Sequence, residues 1–265
     1  MEQRRPFRRR PRRTHLVMTD INSVGVIVPA HNEESLLPGC LAALRVAVRF
    51  ASLPVRVVVV LDDCTDTTGD VCQRFGVESF RIAAHNVGEA RGAGARRLLR
   101  NESRPEAVWL ASTDADTRVP PTWLRDQVDL AQSGADVVLG VVRLGDDDAA
   151  PSLLRAFEFE YQKQLADNGS HSHIHGANLG VRASVYLRAG GFPPVPNHED
   201  RRLIQQLHRL RGVTIETCQN VGVQTSSRIE GRCDHGFAAT LGRFTTSLER
   251  PSSPPRAGRD PQLAR

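Results

Sequence analysis

No run of apolar residues in this 265-residue chain approaches the roughly 20 that a membrane-crossing helix needs, so no α-helical span is expected. Five cysteines (Cys40, Cys64, Cys72, Cys218, Cys233) form no CxxC pair and are odd in number. That excludes paired-thiol metal ribbons and argues against a disulfide framework, so reduced thiols and a cytoplasmic setting are expected. A dinucleotide fingerprint is also missing: the glycines of "NVGEARGAGARR" stand at 88, 92 and 94, which is not GxGxxG. No internal repeat is present. The body of the chain lacks an excess of positive charge, although the total is +5: residues 1–13 hold seven Arg and one Glu, net +6, which leaves 5 − 6 = −1 on everything that follows. A body of that charge is not a polyanion binder, and no specific nucleic acid is expected as a partner.

The basic segment "MEQRRPFRRRPRRTH" has no apolar stretch behind it, so it is neither a secretory nor a twin-arginine signal. Residues 1–19 read as a disordered tail: a solvated extension, an upstream mis-start with Met18 as the true first residue, or a contact with nucleic acid or with anionic membrane at the inner face. The Pro, Ser and Arg content of residues 249–265 marks a second tail. At 40% hydrophobic, the remainder can bury one sizeable core.

From residue 24 short β-branched runs alternate with helical spacing. "VGVIVP", "VRVVVVL", "SFRIAA", "AVWLAS" and "DVVLGVVRL" are nearly continuously apolar, as strands covered on both faces are. Between them residues 33–50, 66–75, 88–99 and 121–132 carry apolar residues at helical intervals, with Pro120 and Pro121 suited to a helix start. The pattern predicts an α/β fold: a mostly parallel sheet with helices on both faces, whose ligands sit at the carboxyl ends of the strands. The polar segments "PAHNEE", "DDCTD", "HNVGEARGAG" and "TDAD" each follow a strand and converge there. Residues 20–145 read as a nucleotide-binding half, and 146–248 as a smaller, acceptor-side subdomain built against the same edge.

Asp114 and Asp116, two apart on a chain taken as still extended, can point the same way. Such hard oxygens suit Mg²⁺ or Mn²⁺, which bind through one or two carboxylates and substrate phosphates, but equally suit a turn whose aspartates cap the next helix. With Asp62, Asp63 and Asp66 they crowd five carboxylates on one edge, a repulsion that a cation would relieve. The glycine segment can place phosphate at a helix N-terminus. Glu199 and Asp200 open a helix docked by Leu203, Ile204, Leu207 and Leu210, where they serve as well for a cap as for a general base. His171, His173 and His175 alternate as a zinc site's ligands do, yet no cysteine is near, and they are expected to line the cleft beside Gly176.

Taken together, "VIVPAHNEES", "VVVVLDDCTDTT", "NVGEARGAGARR", "ASTDAD", "HGANLGVRASVYLRAGGF" and "HEDRRL" resemble family 2 glycosyltransferases of the GT-A fold, over about residues 24–212. The resemblance implies a metal-dependent, inverting transfer of a hexose from a nucleotide diphosphate sugar to an acceptor hydroxyl, with a UDP-sugar as the commonest donor type and Mg²⁺ or Mn²⁺ as cofactor. It places Pro29, Ala30, His31, Glu33, Asp62, Asp63 and Arg91 at the nucleotide, Asp114 at ribose or sugar hydroxyls and Asp116 on the metal. Gly176 and Asn178 would line the donor sugar and acceptor, and Asp200, with Glu199 beside it, would be the catalytic base. His235 is implied as a further metal ligand, with Arg228 and Arg232 closing on the diphosphate or acceptor. "DDCTD" is one residue shorter than the usual "DDGSTD", which leaves open whether Asp62 or Asp63 meets the nucleotide. "QTSSRIEGR" lacks the Trp of the QxxRW element, so synthesis is expected to be non-processive. Two rival readings are a non-catalytic binding protein on the same fold and a haloacid-dehalogenase-like phosphatase. The latter's DxDx(T/V) nucleophile motif belongs on a first strand, whereas this DxD follows the fourth and has Arg118 at the fifth position.

Overall fold

A computed structural model describes residues 20–145, 151–163, 165 and 170–228. The chain forms β1 (Ser23–Ala30), α1 (Leu37–Phe50), β2 (Val55–Asp62), α2 (Thr68–Phe75), β3 (Glu78–Ile82), α3 (Val87–Leu99) and β4 (Val108–Ser112). There follow β5 (Thr117–Arg118), α4 (Trp123–Gln132), β6 (Val137–Leu144), α5 (Pro151–Gln162), β7 (Leu179–Arg182), α6 (Ala183–Arg188), α7 (Glu199–Arg209) and β8 (Ile215–Thr225). All eight strands join one sheet in the order β3-β2-β1-β4-β7-β6-β8-β5.

The sheet is sandwiched because its strands alternate apolar residues to both faces. Val24, Val26 and Val28 of β1 pack with Leu41 and Leu44 of α1, with α2 and with Trp123 and Leu124 of α4. Ile27 of the same strand packs instead with Ala90 and Ala95 of α3, and that second face continues through β7 to Tyr186 of α6 and Leu203, Ile204 and Leu207 of α7. Helix α3 lies close on β1: a Cβ at Gly94 would stand 2.7 Å from Ile27 Cγ2. This proximity fixes the depth at which the next turn of α3 delivers Arg91.

Three features go beyond the sequence pattern or depart from it. Residues 137–144 run in the same direction as β4 but are not its neighbour; β7, only four residues long, lies antiparallel between them. Its text, "LGVR", is too short to show any period. The last strand, β8, continues to Thr225 past a β-bulge at Gly140/Val141, and so carries residues 226–228 up to the carboxyl edge. The prolines at 120 and 121 form a turn ahead of α4, where Trp123 N–H donates to Pro120 O (3.0 Å), rather than its first helical positions.

Candidate functional site

Three strand tips form one wall of the cleft, and each bends through a left-handed non-glycine residue: Asn32 (φ 52°), Asp63 (φ 49°) and His85 (φ 48°). Such conformations cost of order 1 kcal/mol or more each and gather at functional sites. Asp62 and Asp63, equivalent in the sequence, have separate tasks here. The Asp62 carboxylate is buried and accepts the amides of Ala84 (2.7 Å), His85 (3.0 Å) and Asn86 (2.8 Å), so it shapes the loop after β3 and has no face toward a ligand. Asp63 turns outward, 39% exposed, and pairs with His85 Nε2 at 3.0 Å. Of the two, Asp63 is the one open to a nucleotide. His31 is tied to Asp62 O through Nδ1 (2.6 Å), Pro29 is half-buried at the strand end, and Ala30 is a core residue. Asp66 caps α2, accepting from Thr68 N–H (2.9 Å), and stays out of the cluster.

The expected phosphate cradle at α3 is not open. Asn86 Oδ1 takes the Glu89 amide (3.0 Å), and Gly88 N–H donates to Val195 O (3.2 Å). Arg91 is likewise corrected: it is 3% exposed, beneath the cleft floor, and meets protein groups instead of solvent. Its Nε donates to Ser112 Oγ (3.0 Å), one terminal nitrogen to Asp114 and the other to Glu199.

Asp114 and Asp116 lie on a turn and not on extended chain, since Thr117 N–H donates back to Asp114 O (3.1 Å). The turn sends the two carboxylates to different partners within one cluster. Asp116 Oδ1 accepts from Thr225 Oγ1 (3.3 Å) and Thr117 Oγ1 (3.3 Å), and its Oδ2 lies 2.9 Å from Arg228. Arg228 also grips the buried Glu33 through both terminal nitrogens (3.1 and 2.7 Å). Helix α7 starts at Glu199 after a left-handed His198 (φ 58°), and burial of Leu203, Ile204 and Leu207 holds it to the sheet with about 6 kcal/mol of transfer energy before entropy is subtracted. Glu199 is buried with Arg91, whereas Asp200 keeps a solvent-facing side; its Oδ2 accepts the Gly176 amide at 2.8 Å.

Asn178 is a second correction. Its amide donates to Val141 O (2.9 Å) and Val221 O (2.8 Å) and accepts from Trp123 Nε1 (2.9 Å), so it joins β6, β8 and α4 and has nothing left for a sugar. His173 stacks parallel to Tyr161 at 3.6 Å, His175 Nε2 lies 3.2 Å from its hydroxyl, and His171 meets the His173 ring at a tilt. Burial holds His175 down to about 3, so it is neutral at working pH. Among the described residues no three His, Cys, Asp or Glu side chains form a metal-holding group. Arg232 and His235 lie outside the described residues.

Glu33, Asp114, Asp116 and Glu199 are linked through Arg91 and Arg228, and Asp200 adds its charge beside Asp114, a formal −5 + 2 = −3. Burial pushes Asp114 up to about 6 against the pull of Arg91, with Asp116, Glu199 and Asp200 adding to the rise; burial also raises Glu199. The cluster is short of positive charge, and one carboxylate such as Asp116 is enough to hold a divalent cation that substrate phosphates also bind. Thr225 and His85, absent from the expected set, are brought in by the fold. His85 had a signal in following the third strand directly; Thr225, more than a hundred residues from Asp116 in sequence, had none.

Residues 25–188 match the family model described as Glycosyl transferase family 2. The probable glycosyltransferase YdaM of Bacillus subtilis (strain 168) is 23% identical over 206 residues, 73% of this chain and 48% of that protein, so the chain spans about half the length of this relative. Among solved structures, S. aureus TarS in complex with UDP-GlcNAc superposes with a TM-score of 0.59 at 16% identity, covering 81% of this chain and 61% of the other. The mannosyltransferase PcManGT from Pyrobaculum calidifontis, in complex with GDP-Man and Mn²⁺, gives 0.56 at 20% identity, with 92% and 70% covered. At these identities the structural likeness establishes the fold, mixed α/β with a mostly parallel sheet.

Proposed function

This chain belongs to glycosyl transferase family 2, and on that premise we propose that it is a non-processive enzyme moving a hexose from a nucleotide diphosphate sugar to an acceptor hydroxyl with inversion. One observation carries the reading: the turn bearing Asp114 and Asp116 and the helix start bearing Glu199 and Asp200 are joined through Arg91 and lie together at the carboxyl edge of the sheet. Donor-side and acceptor-side carboxylates are thereby brought together. The complexes of related folds with UDP-GlcNAc and with GDP-Man and Mn²⁺ support a donor of this class, and a UDP-sugar is the first to try.

Asp200 is the base. The amides of Gly176 and Arg201 fix its two oxygens (2.8 and 2.6 Å) at the N-terminus of α7. It takes the acceptor's proton as that oxygen attacks the anomeric carbon and the bond to the diphosphate breaks on the opposite face. Asp63 and His31 stand at the strand tips where the nucleoside would lie, and Arg228 brings a cation to the diphosphate end. The −3 cluster fits a divalent cation held by Asp116; when bound, Mg²⁺ or Mn²⁺ would supply charge stabilisation to the departing diphosphate. The acceptor, the cytoplasmic setting and the membrane contact of residues 1–17 remain proposals of the same reading.

Asp116→Ala tests it. Screened with UDP-, GDP- and dTDP-sugars in Mn²⁺, the variant should keep its melting temperature and lose both transfer and metal-dependent nucleotide binding. NMR of the wild-type product should show the inverted anomer. Unchanged turnover in Asp116→Ala would overturn the assignment.

A further inference from the structure

Arg91 is almost fully buried, and its side chain joins three elements of the site. Its fork reaches Ser112 at the end of β4, Asp114 on the turn beyond, and Glu199 at the start of α7. Above it lies the backbone of Gly176: a Cβ there would come within 2.5 Å of the guanidinium, so the 176–178 turn rests directly on Arg91. The same Gly176 donates its amide to Asp200 at 2.8 Å. One planar cation therefore sets the relative positions of three elements that are distant in sequence.

We infer that Arg91 is a positioning residue for the proposed base: it acts on Asp200 through Glu199 and Gly176 and holds Asp114 in register with it, without touching the substrate. The inference rests on the function proposed above for what Asp200 does, but the mechanical coupling is independent of it. Arginine is needed because five N–H donors in a fixed fork can serve a hydroxyl and two carboxylates at once, whereas a lysine ammonium is a single point on a flexible stem. Phe192, 6.0 Å from Arg91 Cζ, and the buried Glu199 side chain enclose the guanidinium, so water cannot replace the lost contacts. Lysine at 91 would leave Glu199 or Asp114 poorly matched, and the Asp200 oxygens would shift with α7 and the 176–178 turn. A misplacement of about 1 Å at a reacting group costs on the order of a hundredfold in rate.

The test compares Arg91→Lys, Glu199→Gln and the double variant with wild type by hydrogen exchange, by binding of UDP and of GDP with Mn²⁺, and by steady-state transfer. Arg91→Lys should speed exchange across residues 174–180 by about tenfold or more, as local opening becomes easier. Nucleotide affinity should stay within about threefold while kcat falls about a hundredfold, and the double variant should lose little more than either single one, because the residues act as a unit. Unchanged exchange at 174–180 would refute the coupling. An equal fall in nucleotide affinity and kcat would make Arg91 a donor ligand and overturn the proposal. If Arg91→Lys fails to fold, Ser112→Ala, which removes only the Nε contact, should show smaller changes of the same kind; wild-type exchange and kcat in that variant would also refute it. Absence of transfer by the wild type with every donor defeats the proposed function alone, since the exchange result still decides on Arg91.

Discussion

Replacing Asp62 by Asn separates two kinds of aspartate that adjoin in the chain. Oδ1 of Asp62 accepts two backbone amides and Oδ2 a third, at 2.7 to 3.0 Å and almost fully buried. The Asn carbonyl can keep the pair at Oδ1, but its NH₂ then faces the Asn86 N–H, donor against donor. One charge-assisted bond is lost, a buried amide is left without an acceptor, and the two surviving bonds weaken with the loss of charge, for about 3 kcal/mol in all. In a domain of this size that lowers the melting temperature by about 6 to 12 °C. Asp63→Asn, on an exposed side chain, should leave the melting temperature unchanged and weaken UDP or GDP binding instead. Calorimetry of both variants, with nucleotide titrations at a temperature where both are folded, reads the two effects separately. A wild-type melting temperature for Asp62→Asn together with lost nucleotide binding would refute the division of labour, and would place Asp62 in the ligand's path.

Arg228 is the cation nearest Asp116 and Glu33, so Arg228→Gln changes the cluster from −3 to −4. Mn²⁺ should bind the free protein more tightly, by about tenfold if the lost charge lies about 6 Å from the ion and is felt through a dielectric near that of water, while UDP binding weakens; isothermal titration of each ligand checks this, and weaker Mn²⁺ binding would contradict it. His175, held at about 3, must stay neutral in the folded chain while its unfolded form protonates near 6.5. Between these values the unfolded state binds the extra proton, so stability falls as pH drops from about 6.5 toward 3, by up to about 1.4 kcal/mol per pH unit from this residue. Urea midpoints at pH 7, 5.5 and 4.5 should therefore decline less steeply in His175→Gln than in wild type, and parallel declines would contradict the neutral state.

Much of the fold was legible because its signals are local. Five continuous apolar runs at strand length, helical spacing between them and polar segments after each strand identify the layered architecture and the edge that carries the chemistry, since burial on both faces leaves its mark on every residue of such a strand. The helix start at Glu199 and Asp200 was equally readable from the apolar positions behind it. A four-residue strand such as β7 has no room for a period, and its antiparallel place between β4 and β6 is set by pairing partners instead of by its own text.

The amino-acid order by itself determined which carboxylates reach the carboxyl edge. Only the tertiary structure decided what each one does there. Asp62 and Asp63 differ because one points at three amides and the other at solvent. Asn178 and Arg91, polar residues within ligand-like motifs, are consumed inside the protein, because burial obliges each polar group to find partners and those partners lie on strands and helices distant in sequence. Arg228 meets Asp116 because β8 runs on to Thr225 beside β6. Residue type sets what a side chain can bind, but the distance and burial that select among those options are properties of the packed chain.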